Sequence, residues 1–99
     1  MVTKKTFTDK ISKLPATIPS KTGTASYTNF ILENNILSFQ RVKTKKNWDL
    51  DIEVLWSIYL TYAFINTTVV KNVMGKRVNS PSIAVLMAIG CIDATGKRL

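Results

Sequence analysis

The side chains in this sequence best suited to chemistry are three carboxylates at alternate positions, Asp49, Asp51 and Glu53. Along an extended strand that spacing points all three the same way, and carboxylates so arranged can hold Mg²⁺ for phosphodiester hydrolysis. No lysine follows at the spacing a nuclease of this kind uses. Asp51 and Glu53 also match what a helix start demands, an oxygen acceptor for free N–H groups and a negative charge in the first turn. Capping is therefore the expected role, with no metal bound. The chain has no histidine, which removes the commonest general base and the commonest zinc ligand. Its one cysteine, Cys91, stands in the apolar run Ala88–Ile92, where a buried, inert thiol is expected. There is no glycine-rich phosphate loop, no cysteine cluster and no serine with a plausible base. A non-catalytic protein without cofactor is expected.

Charge is the next signal. Lys and Arg number 14 against 6 Asp and Glu, for a formal net charge of +8. The excess is lopsided: residues 1–46 hold nine basic side chains and two acidic ones, and the rest of the chain is nearly balanced. Such a field attracts polyanions, nucleic acid first among them. Arg41, Lys43, Lys45 and Lys46 fall within six residues and Trp48 follows them. A hairpin end so charged can track phosphates, and an adjacent indole can stack on a base if exposed.

A second cationic group lies in Asn66–Ile92, NTTVVKNVMGKRVNSPSIAVLMAIGCI. It reads as a short helix capped by Asn66 or Thr67, a stop at Gly75, and a second helix opened by Ser80 and Pro81 and closed by Gly90. The order of a glycine turn, Ser-x-Ser, an apolar helix and a closing Gly-x-Ile resembles winged-helix regulators. In that arrangement Lys71, Lys76 and Arg77 would grip phosphates, and Ser80 and Ser82 would meet the backbone at a helix N-terminus. The second helix, Ile83–Ile89, carries no Arg, Lys, Asn or Gln to read a base edge. Backbone contacts are expected from this segment, not sequence readout.

The elements that must position these groups follow from pattern. Residues 1–27 are expected as a basic, partly flexible arm broken by Pro15, Pro19 and Gly23, with Phe7, Ile11 and Leu14 at helical spacing. Residues 28–99 are expected as one globular unit. Two apolar runs flank Asn34-Asn35, a dipeptide suited to a type I′ hairpin turn, and Leu37, Phe39 and Arg41 share a face with Phe39 in the core. A helix over 52–65 follows, apolar nearly all round, then the two helices above. Cys91–Asp93 and Arg98–Leu99 read as stubs of a short wing across the turn at Ala94–Lys97. The expected class is α+β, a β-hairpin packed on about three helices, in a winged-helix-like order.

A small basic nucleic-acid-binding protein is the leading expectation. The alternative is a protein-interaction module or homodimer assembled through the aromatic helix 52–65, since aromatic side chains are favoured in interface cores. Residues 54–70 carry no charge but are diluted by Ser57, Thr61, Asn66, Thr67 and Thr68, so a membrane span is not expected. No secretory signal is expected at the N-terminus, and a lone cysteine suits a reducing, cytoplasmic setting.

Overall fold

The computed structural model describes residues 2–75 and 78–99. Eight elements follow one another: α1 (Lys4–Ser12), β1 (Thr17–Pro19), β2 (Ser26–Glu33), β3 (Ile36–Arg41), β4 (Asn47–Asp51), α2 (Ile52–Thr61), α3 (Thr67–Met74) and α4 (Asn79–Ala88). The strands form an antiparallel meander in the order β1-β2-β3-β4. The fold is α+β, as expected, with more sheet and one more helix than the sequence pattern indicates.

The central hairpin forms where Asn34 and Asn35 both adopt positive φ, 51° and 62°, the backbone a type I′ turn requires. Alternation then sorts the side chains. Leu37 and Phe39 on β3 point into the core with Leu50 and Trp48, their register partners on β4. Tyr27 on β2 joins them, edge-on to Phe39 at 5.7 Å between ring centroids. β4 runs directly into α2 through Asp51, whose carboxylate accepts from the N–H groups of Glu53 and Val54. Asp49, one alternate position earlier, instead accepts from the Ser38 hydroxyl across the strand pair at 3.0 Å.

The stretch expected as an arm supplies α1 and β1. Thr3 caps α1, and the helix buries Phe7 and Ile11 against Trp56 and Tyr59 of α2 and the sheet. Ile18 on β1 is buried as well. Two apolar side chains spaced four apart were enough to dock the helix, because they meet an aromatic pair on α2.

Helix α2 stops at Thr61, four residues short of the expected end. The Thr61 hydroxyl bonds back to the carbonyl of Ser57, and Tyr62 turns extended at φ −111° and ψ 131°. Residues 63–65 then pair with 96–98: Arg98 N–H donates to the Ala63 carbonyl, and Ile65 N–H to that of Gly96, each at 2.8 Å. Gly96 is required there, since its φ is +90° and a Cβ would lie 2.5 Å from the Ile65 carbonyl oxygen. Ile92 bridges Arg98, so the expected wing is reduced to single bridges around the turn at 93–97. That turn is held by the Asp93 carboxylate, kept below the usual carboxylate range first by the Thr95 hydroxyl and then by backbone N–H groups of Lys97 and Thr95.

Asn66 caps α3 through Val69 N–H, and Gly75 ends it at φ 63°, both as expected. α4 departs from expectation. It starts at Asn79, capped by no side chain, and Pro81 occupies its third position, where its missing N–H is still one of the helix's unpaired donors. Residues 81–86 are all buried. α4 packs on α3 and on β1.

Tyr59 ties these layers together. Its ring is fully buried, and its hydroxyl donates to the Leu99 carbonyl at 2.9 Å while accepting from Val2 N–H at 3.2 Å. Replacing Tyr59 by Phe removes both bonds and leaves the ring. Urea unfolding should show a loss of about 1–2 kcal/mol with an unchanged m-value. A midpoint equal to that of the wild type would mean the two chain segments are held elsewhere.

Candidate functional site

The meander places its turns at two ends. The Asn34-Asn35 turn lies at one, and the β1–β2 and β3–β4 loops lie together at the other. A backbone bond from Val42 N–H to the Ser26 carbonyl, 2.9 Å, joins the two loops at their bases. The first loop, residues 20–25, is closed by Ser20: its N–H donates to the Ala25 carbonyl and its Oγ accepts from Ala25 N–H. It carries Lys21, exposed. The second, residues 42–46, is closed by Lys45 N–H to the Arg41 carbonyl and Arg41 N–H to the Lys46 carbonyl. Lys45 sits at φ 55° there, and Lys43, Lys45 and Lys46 are all exposed.

Lys21, Arg41, Lys43, Lys45 and Lys46 thus gather at one end of the sheet, and neither loop contains a carboxylate. The far end is the reverse, with Glu33, Asp51 and Glu53, of which Glu53 pairs with Lys4. The molecule is electrically polarised along its strands.

Two aromatic groups support the cationic end from beneath. Lys46 Nζ lies 5.2 Å from the centroid of the Trp48 ring, a cation–π contact worth about 0.5–1 kcal/mol at an exposed site. Trp48 itself packs on the core, so its ring steadies the loop from below, and stacking on a base is not the role its position gives it. Arg41 pairs in register with Tyr27 on the core-facing side, half-buried, and is the least available of the five cations. Burial pushes the Tyr27 phenol up, partly offset by the Arg41 guanidinium.

The other sequence-derived candidates lie elsewhere. Lys71 is exposed on α3, which packs on α2 and α4 in the helical layer. Lys76 and Arg77 lie outside the described residues. Ser80 is exposed in the first turn of α4, but Ser82 is fully buried, its hydroxyl donating to the Val78 carbonyl at 2.6 Å. α3 and α4 follow one another and pack together, yet the body of α4, from Pro81 to Leu86, is buried and cannot lie in a groove. Its apolar composition already signalled this, because a helix without a polar stripe is a core helix.

The structure brings in residues the sequence pattern did not single out. Lys21 belongs to the cationic end only because residues 17–19 and 26–28 pair. On the open face of the sheet, a β-bulge between Thr28 and Ile31 holds Asn29 at φ 57°, and its amide donates to Gln40 Oε1 at 2.8 Å. A depression of about 700 Å³ lies there, bordered by Asn29, Ile31, Ser38, Gln40, Asn47 and Asp49, with Phe30 and Phe39 also in its lining. Another of about 460 Å³ lies between α1 and the end of α4, where Lys10 and Lys13 stand beside Asp9.

Among the described residues no group of three or more acidic, cysteine or histidine side chains is placed to hold a metal. Cys91 is buried, and burial raises its thiol above the ordinary range. No described helix is long and apolar enough to cross a membrane. Comparison with protein-family models, curated proteins and solved structures finds no match.

Proposed function

We propose that this protein binds nucleic acid without catalysis, holding phosphates at the cationic end of its sheet. One observation carries the reading: two hairpin loops, joined by the Val42–Ser26 bond, bring Lys21, Lys43, Lys45 and Lys46 together beside Arg41 with no carboxylate in either loop. Like charges so gathered repel one another, and a polyanion that displaces their counterions relieves that cost. Lys71 and Ser80 are also exposed, and Lys76 and Arg77 fall between them in the sequence as further candidates for phosphate contact. Ser82 drops out. A small regulatory or accessory protein in a reducing, cytoplasmic setting fits this chemistry and the single buried thiol.

A second reading, self-association, is favoured by a separate observation. Leu60, Tyr62, Phe64 and Val73 are exposed around the end of α2, with Phe64 61% accessible. The two readings are compatible, since they draw on different side chains.

Anisotropy titration of a labelled nucleic acid at several salt concentrations tests the first. Wild-type affinity should fall steeply with salt, and a Lys21→Gln, Lys43→Gln, Lys45→Gln variant should lose about one unit of slope for each lysine that touches a phosphate. An unchanged slope would remove the hairpin end from the interface, and no wild-type binding at low salt would leave the charge a solubility feature. Sedimentation equilibrium tests the second: a dimer at micromolar concentration that Phe64→Ser dissociates is expected, and a monomeric wild type contradicts it.

A further inference from the structure

The helices pack on one face of the sheet only: Tyr27, Leu37, Phe39 and Leu50 are buried there, and their neighbours in the alternation, Asn29, Ile31, Gln40, Asn47 and Asp49, face away from the helices. That open face is continuous with the cationic end, because Gln40 and Asn47 are a register pair immediately before the β3–β4 loop. It is unusually rich in groups that pair with base edges. Asn47 offers a side-chain amide for which the described residues provide no partner. Gln40 accepts from Asn29, so its own amide N–H groups and the Asn29 carbonyl oxygen remain for another partner. Asp49 is oriented by the Ser38 hydroxyl through one oxygen and keeps the other free to accept from an exocyclic amino group. The bulge at Asn29 interrupts the β2–β3 ladder beside the depression of about 700 Å³, the kind of local irregularity that re-aims a side chain.

We infer that the ligand is a single-stranded nucleic acid whose bases lie on this open face, read by Asn29, Gln40, Asn47 and Asp49, while its phosphates are held by the lysines of the two loops. The inference rests on the nucleic-acid reading above and adds the strandedness and the base-contacting surface. A duplex keeps its bases stacked inside and presents grooves about 6 or 12 Å wide, which a broad four-stranded face cannot enter. An unpaired strand can splay its bases across a sheet and expose their pairing edges to side-chain amides. The charge pattern sets the polarity of the site. Phosphates are drawn to the lysine end and repelled by Asp49 and by Asp51 and Glu33 beyond it, whereas a base edge is welcome at Asp49. Ile31, 58% accessible, gives an apolar contact for one base. Phe39 and Phe30 also border the depression, the first buried and the second half-buried against the core, so recognition falls mainly to hydrogen bonds and should depend on base identity more than stacking alone would.

The test is anisotropy titration of a fluorescein-labelled oligonucleotide of about 12 mixed-sequence nucleotides, single-stranded and as its duplex, in the same buffers. The wild type should bind the single strand about tenfold or more tighter than the duplex. An Asn29→Gly, Asn47→Ala variant, which keeps glycine at the positive φ of the bulge, should bind the single strand about tenfold more weakly with the same salt slope. Gln40→Glu, similar in size but negatively charged, should weaken it further. Equal single-strand affinity in wild type and both variants would overturn the base-reading face and leave the phosphate end standing. A wild-type preference for duplex would overturn the inference in the same way. Failure to bind either form at low salt would overturn the nucleic-acid reading itself.

Discussion

The packing of one sheet face against the helices is the constraint from which the rest of the molecule follows. Tyr27, Leu37, Phe39 and Leu50 cannot be buried without turning their neighbours outward, because strand side chains alternate strictly. Each large apolar side chain so buried contributes about 1.5–3 kcal/mol, and the buried set on α1, α2 and α4 matches it from above. The same alternation leaves the amides and hydroxyls of the other face in solvent. A small chain thus devotes one surface to stability and the opposite one to whatever it meets.

Helix α4 shows how burial decides between local outline and function. Its flanks have the punctuation of a recognition helix, Gly75 before it and Gly90 after it. Its body is Pro81 to Leu86 without an exposed side chain, and Ser82 turns inward to its own backbone. An Ala cut into Leu86 would cost about 2–5 kcal/mol, the scale of a core position. The Tyr59 hydroxyl, reaching Val2 and Leu99 at once, closes the helical layer from the other side. Both features pull the helices toward the core and leave the sheet's loops as the free, charged extremity.

Much of this was legible in the sequence where a local rule is sufficient. Asn34-Asn35 forms the turn its dipeptide favours, Asp51 and Asn66 cap their helices, Gly75 stops α3, and Phe39 and Cys91 are buried. What escaped depends on pairing at a distance. β1 is three residues long with Pro19 at its end, and β4 hides in Asn47–Asp51, whose polar members face solvent while Trp48 and Leu50 face in. Without those two strands the loops cannot be brought together, so Lys21 could not be grouped with Lys43, Lys45 and Lys46. The end of α2 was missed for a related reason: residues 63–65 leave the helix to pair with 96–98, a partner more than thirty positions away. Asn29 and Gln40 carried no signal of their own, since a bulge is defined only by the strand opposite.

Backbone amide chemical-shift mapping during titration with a single-stranded oligonucleotide would test the central claim most directly. The account predicts changes confined to Lys21–Gly23, the β-bulge at Asn29, Gln40 and Val42–Asp49, with α4 unmoved. Changes centred instead on Lys71 to Ser80, with the two hairpin loops silent, would contradict it.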